Sequence, residues 1–114
     1  MIESAEEFVR LRCSDDPDLY LRATHESAPE HVWREVIEKY PKMRCWVAHN
    51  KTVPHSILEV LANDPDPKVR YFVAMKRKIS PLLCKRLATD PDESVRLAIA
   101  RNEKDPDKYP SKVG

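Results

Sequence analysis

Cys45 and His49 stand four residues apart, a spacing that on a helix puts two side chains on one face. A thiolate beside an imidazole can form a nucleophile–base pair or supply two ligands to zinc. Either chemistry needs more: further ligands for the metal, or a third group to orient the base. Cys13 and Cys84, and His25, His31 and His55, offer no metal-site spacing. The sole glycine, Gly114, argues the same way. Phosphate-cradling loops, dinucleotide-binding turns and nucleophile elbows need glycine where backbone turns tightly or meets a ligand. The expectation is a chain that is not an enzyme, with no catalytic residues, no metal and no cofactor.

Two further groupings carry charge at regular spacing. Asp64-Pro65-Asp66 and Asp90-Pro91-Asp92 offer carboxylates, but a calcium loop needs more oxygen ligands over about a dozen residues and a glycine for its turn. Helix stop followed by N-cap explains each triplet: proline cannot continue a helix, and aspartate caps the next one. Arg44, Arg70 and Arg96 recur every 26 residues. A ladder of guanidinium groups could bind phosphates or carboxylates. Beside Asp-rich loops, it is better read as pairing with Asp64, Asp66, Asp90 or Asp92.

The same period runs through the rest of the chain. Asp64 to Ala74 returns as Asp90 to Ala100, and Met43-Arg44-Cys45-Trp46-Val47-Ala48 is a third copy. Self-similarity at 20 to 50 residues marks stacked repeats, each too small to bury its apolar face alone. Ser4-x-x-Glu7 and Ser27-x-x-Glu30 have the form of capping boxes. The first opens a helix to about Cys13 with Phe8 and Val9 inward. A short second helix spans about 18–25, with Asp18…Arg22 matched to Asp66…Arg70. The next helix carries Val32, Trp33, Val36, Ile37 and Tyr40 to Pro41, and another runs from about Lys42 to Asn50 with Met43, Trp46 and Val47 inward. Thr52-Val53-Pro54 and Ser80-Pro81 open the helices of Ile57, Leu58, Leu61 and Ala62, and of Leu83, Cys84, Leu87 and Ala88. Their partners bury Val69, Phe72 and Val73, and Val95, Ala98 and Ile99. The expected fold is all-α, with four two-helix repeats at about 4–27, 27–51, 52–78 and 79–102 in one domain over 1–102. A polar tail follows over 103–114.

Leu61-Ala62-Asn63-Asp64-Pro65-Asp66-Pro67-Lys68-Val69-Arg70 and Leu87-Ala88-Thr89-Asp90-Pro91-Asp92-Glu93-Ser94-Val95-Arg96 resemble the bacterial leucine-rich repeat variant and, more broadly, HEAT-like repeats. The resemblance covers 27–102 well and 4–26 loosely. It implies an α-solenoid, a right-handed superhelix that serves as a binding scaffold with its second helices lining the concave side. Some members of the variant family hold an iron–sulfur cluster on a cysteine-rich segment; the scattered cysteines here give no ground to expect one.

If the apolar stripes go inward, each second helix leaves two equivalent positions outward: Cys45 and His49, Tyr71 and Met75, Leu97 and Arg101. Aromatics, Met and Arg are enriched at interfaces, although Tyr71 and Leu97 are also of a kind that touches neighbouring helices. Residues 1–38 carry ten acids and four bases, whereas 39–89 carry eleven bases and three acids, so the near-neutral total conceals a basic middle. From Pro67 to Thr89 there is no acid beside Lys68, Arg70, Lys76, Arg77, Lys78, Lys85 and Arg86. An anionic partner fits that run. The stripe and the basic residues together make a non-enzymatic protein-binding module the first expectation. By analogy it would be an inhibitor or immunity-type protein acting on a toxin or enzyme. Nucleic-acid binding through the basic 67–89 surface is the alternative, although the acidic first third does not suit wrapping a polyanion. The binding residues singled out are Cys45, His49, Tyr71, Met75, Lys76, Arg77, Lys78, Leu97 and Arg101. The acidic start lacks signal-peptide character, no apolar run could span a bilayer and three scattered cysteines form no disulfide framework. A cytoplasmic monomer without membrane contact is expected.

Overall fold

Proline and aspartate set the helix boundaries. A computed structural model of the chain describes residues 1–103, and these form eight α-helices with no strand among them. The helices are α1 (Ala5–Arg12), α2 (Pro17–His25), α3 (Glu30–Lys39), α4 (Arg44–His49), α5 (His55–Leu61), α6 (Pro67–Ala74), α7 (Pro81–Leu87) and α8 (Glu93–Glu103). Three of them start with proline at the first helical position, where its missing N–H costs no intrahelical bond. The remainder of the tail expected over 103–114 lies outside the described residues.

The chain divides into two compact units, Met1–Leu61 and the part from Ala62 on. In the first, α1 packs on α2 and α3, and α3 packs on α4 and α5. Phe8 and Trp33, both fully buried, meet edge to face with ring centroids 5.2 Å apart. Leu11, Val36, Val47, Ile57 and Leu61 are buried in the same unit. A side chain of this size contributes about 2 kcal/mol when removed from water. In the second unit, α6 packs on α8 and α7 through Val69, Val73, Leu83, Leu87, Val95 and Ile99.

Several local expectations change. The first repeat is registered two residues earlier than expected: Asp16 caps α2 by accepting the Asp18 N–H at 2.9 Å, as Asp66 accepts from Lys68. At nine residues α2 is no shorter than α6, which has eight. Ser27 forms no capping box, because α3 begins only at Glu30 with Pro29 as its cap, and the Ser27 carbonyl instead accepts the Ile2 N–H. The expected helix over 42–50 opens with a 3₁₀ turn, Pro41–Met43, and becomes α-helical only at Arg44. Thr52 does not start α5, since its hydroxyl is held by Asn50 and Pro54 accepts the first helical N–H groups. Val9, Ile37, Tyr40, Met43, Trp46 and Phe72 are half-buried, and Ala88, past the last turn of α7, is exposed.

Candidate functional site

In the second unit the two Asp-Pro-Asp loops do three jobs at once. Asp64 Oδ1 accepts the Asp66 N–H at 2.9 Å, and Asp66 Oδ1 accepts the Lys68 N–H at 2.9 Å, capping α6. Asp90 and Asp92 repeat the pattern at the start of α8, where Asp92 accepts from Ser94 at 2.8 Å. Arg70 then joins the loops. Its Nε and Nη2 donate to the Asp90 carboxylate at 2.8 and 3.2 Å, and its Nη1 donates to the Asp64 carbonyl at 2.6 Å. Arg96 donates to the Asp90 carbonyl at 2.6 Å. Burial pushes the Asp90 carboxyl up, but the Arg70 and Asp92 hydrogen bonds, with the charges of Arg70 and Arg96, outweigh it and hold the group below the usual aspartate range.

The other ends of these helices are tied as well. Asn102 Nδ2 donates to the Ala74 carbonyl at 2.8 Å and to the Lys76 carbonyl at 2.6 Å. Those acceptors lie where α6 runs out, where carbonyls lose their intrahelical donors. Asn50, fully buried in the first unit, does the same for the end of α2 by donating to the Ala23 and Glu26 carbonyls at 2.8 and 3.0 Å. Neither asparagine was singled out by sequence reasoning. The available signal was the match of Ala48-His49-Asn50 to Ala100-Arg101-Asn102, two periods of 26 apart.

With both ends fixed, α6 and α8 present a common face holding two shallow clefts. One, of about 320 Å³, is lined by Tyr71, Met75, Arg77, Ala98, Arg101 and Asn102. The other, of about 260 Å³, is lined by Pro67, Lys68, Tyr71, Asp92 and Ser94. Half-buried Tyr71 lines both. Met75 and Leu97 are 48% and 51% exposed, high for side chains with no polar atom to reward solvation. Among the described residues no ion-pair or hydrogen-bond partner engages the side chains of Lys68, Arg77, Lys78 or Arg101. By contrast, Arg70 and Arg96 are held by Asp90, and Arg86 donates to Asn63 at 2.9 Å.

The binding residues named from sequence therefore divide. Tyr71, Met75, Arg77 and Arg101 come together in one cleft, with Leu97 exposed on α8 but outside the lining. Lys76 is half-buried at the end of α6, and Lys78 is exposed beyond it. Cys45 and His49 belong to the first unit, half-buried and exposed respectively. There His49 stands edge-on to Trp46 with centroids 5.8 Å apart, and the Arg12 guanidinium lies 3.5 Å over Trp46 and 4.5 Å over Tyr20. Arg12 and Tyr20 carried no periodic signal that could have placed them in this stack. Arg44 donates to the Ile37 carbonyl at 2.8 Å, a structural role akin to that of Arg70 and Arg96. No group of three or more His, Cys, Asp or Glu residues among those described could hold a metal ion.

Over its described residues the chain is all-helical, and no described helix is long and apolar enough to cross a membrane. It matches no protein-family model, no curated protein and no solved structure.

Proposed function

We propose that this chain is a non-enzymatic protein-binding module that captures one partner on the face of its second helices, with α6 and α8 supplying the main contact. The observation that carries the reading is the coincidence, in one cleft, of half-exposed Met75, the Tyr71 ring and two cations, Arg77 and Arg101, that have no partner among the described residues. That composition is the one enriched at the centres of protein interfaces. The recurrence of Arg44, Arg70 and Arg96, and of Asn50 and Asn102, supports a HEAT-like α-solenoid akin to the bacterial leucine-rich repeat variant, a scaffold that binds rather than catalyses. An inhibitor or immunity-type role against a toxin or enzyme, acting as a monomer in the cytoplasm, is the specific form we favour.

Nucleic-acid binding is the competing reading, favoured by the acid-free run from Pro67 to Thr89. A phosphate backbone would use Lys68, Arg77 and Lys78, but it has no use for exposed Met75 and Leu97. Affinity capture from the native cell, with nuclease treatment, separates the two. The expected outcome is one protein recovered stoichiometrically that survives ~0.5 M salt, where phosphate contacts weaken steeply, and that is lost with Tyr71→Ala. Recovery of nuclease-sensitive material alone would refute the proposal.

A further inference from the structure

We infer that the α6/α8 cleft takes an acidic peptide segment, seating a carboxylate between Arg77 and Arg101 while an adjacent large apolar side chain packs on Met75 and Tyr71. This rests on the protein-binding reading above and names the chemistry of the partner. The argument begins with the arginines of the second unit, which fall into two groups. Arg70, Arg86 and Arg96 are satisfied within the unit by Asp90, Asn63 and the Asp90 carbonyl. Arg77 and Arg101 line one cleft, are exposed and have no partner among the described residues. Two like charges on one cleft repel one another unless an anion lies between them. Guanidinium groups engage carboxylates through paired N–H donors, which adds direction to the attraction.

The cleft's size and floor narrow the class further. About 320 Å³ suits one or two amino-acid side chains, and Ala98, Met75 and the Tyr71 ring give the floor apolar surface beside the two arginines and Asn102. A bare polyanion would leave that floor unused. The surroundings reinforce the sign: residues 62–103 carry nine Lys and Arg against six Asp and Glu, and Asp90 already serves Arg70. An acidic segment with Leu, Met or Phe beside Asp or Glu matches both the charge and the floor.

A random-peptide display library selected against the full chain tests this, with a 12-nucleotide single-stranded DNA oligomer assayed in parallel. The expected result is enrichment of peptides placing Asp or Glu next to a large apolar residue. Their synthetic versions should bind at least about tenfold more weakly to an Arg77→Glu/Arg101→Glu variant, as expected for reversing charges that face a complementary partner. Both residues are exposed, so the variant should fold, and an unchanged melting temperature checks that. Enriched peptides with no acidic excess, or binding equal on the variant, would overturn the inference while leaving protein binding intact. No enrichment at all, or an oligomer that binds more tightly than any peptide, would also overturn it. The nuclease-treated capture then decides the broader reading independently.

Discussion

The two units dispose of their charge in opposite ways. Residues 1–61 carry eleven acids and eight bases, and cations on the helices meet acids one turn away. Arg34 donates to Glu30 at 2.8 Å, Lys39 to Glu35 at 2.9 Å, and Arg22 to Glu26. Arg12 lies on an aromatic ring. In the second unit neutralisation happens in the loops, where Asp90 gathers Arg70 and Arg96, while Arg77, just past α6, and Arg101 on α8 have no partner among the described residues. Exposed pairs one turn apart add little to stability and leave a surface quiet toward other molecules. A unit that buries its acids at helix starts gains rigidity there and leaves outward cations available. The comparison teaches why the proposed binding face falls in the second unit: its acids are consumed by architecture.

The largest effect should come from removing the acid that does most of this work. Asp90→Ala takes away a carboxylate paired with Arg70 at 2.8 Å, where the two side chains are only 6% and 14% exposed. It also removes the acceptor for the Asp92 N–H. Breaking a buried pair strands the remaining charge, so the expected loss is about 3 kcal/mol in urea unfolding. The pH dependence has a definite sign. The folded-state carboxyl titrates below its ordinary value of 3.8, so its stabilisation is fully present above that value and is lost as pH falls through the folded pKa. Asp90→Asn should flatten that part of the acid-unfolding curve. A loss from Asp90→Ala no greater than that from Glu30→Ala would erase the distinction between the units.

The asparagine anchors come next, and here the units should behave alike. Asn50→Ala strands the Ala23 and Glu26 carbonyls around a fully buried site and should cost about 2 kcal/mol. Asn102→Ala frees the Ala74 and Lys76 carbonyls at a half-buried site, where water can replace the donor, for about 1 kcal/mol. Chemical denaturation of the two variants reads both. If Asn102→Ala costs nothing, the end of α6 is not held by α8, and the cleft lacks the support argued for it.

These anchors also mark where the sequence stopped being readable. Helix starts were legible where a proline beside a capping acid recurs with the period, as at Asp66-Pro67, but the same local pair at Asp16-Pro17 was placed two residues late because the degenerate first repeat gives no register. The apolar stripes were legible because helical period alone turns Val69 and Val73 inward. Arg70 was readable as an aspartate partner from repetition beside Asp-rich loops, though Asp90 was one of four candidates. Asn50 was not readable: its acceptors lie 24 and 27 residues away, and asparagine at a helix end is equally at home as a simple C-cap. Ser27 misled because a Ser-x-x-Glu pattern says nothing of the backbone path that turns its carbonyl to Ile2. Tyr71, Met75, Leu97 and Arg101 could be marked as outward by subtraction. Which cations stay unpaired depends on long-range geometry, so Arg77 could not be told from Arg86.

The smallest predicted effect is the sharpest on sign. Arg34→Ala removes a guanidinium bonded to Glu30 and should lower the melting temperature slightly. Arg77→Ala removes a cation flanked in sequence by Lys76 and Lys78 with no partner among the described residues, so relief of like-charge repulsion should leave the melting temperature equal or slightly higher. Screening makes the contrast diagnostic. At 0.1 M salt exposed charges more than about 10 Å apart are already largely screened, and at 1 M the reach falls to about 3 Å. The two variants should therefore differ most at low ionic strength and converge toward the parent as salt is raised. Thermal unfolding of the pair across that range measures it directly. A clear, salt-insensitive loss with Arg77→Ala would mean that this arginine, like Arg70, is part of the architecture.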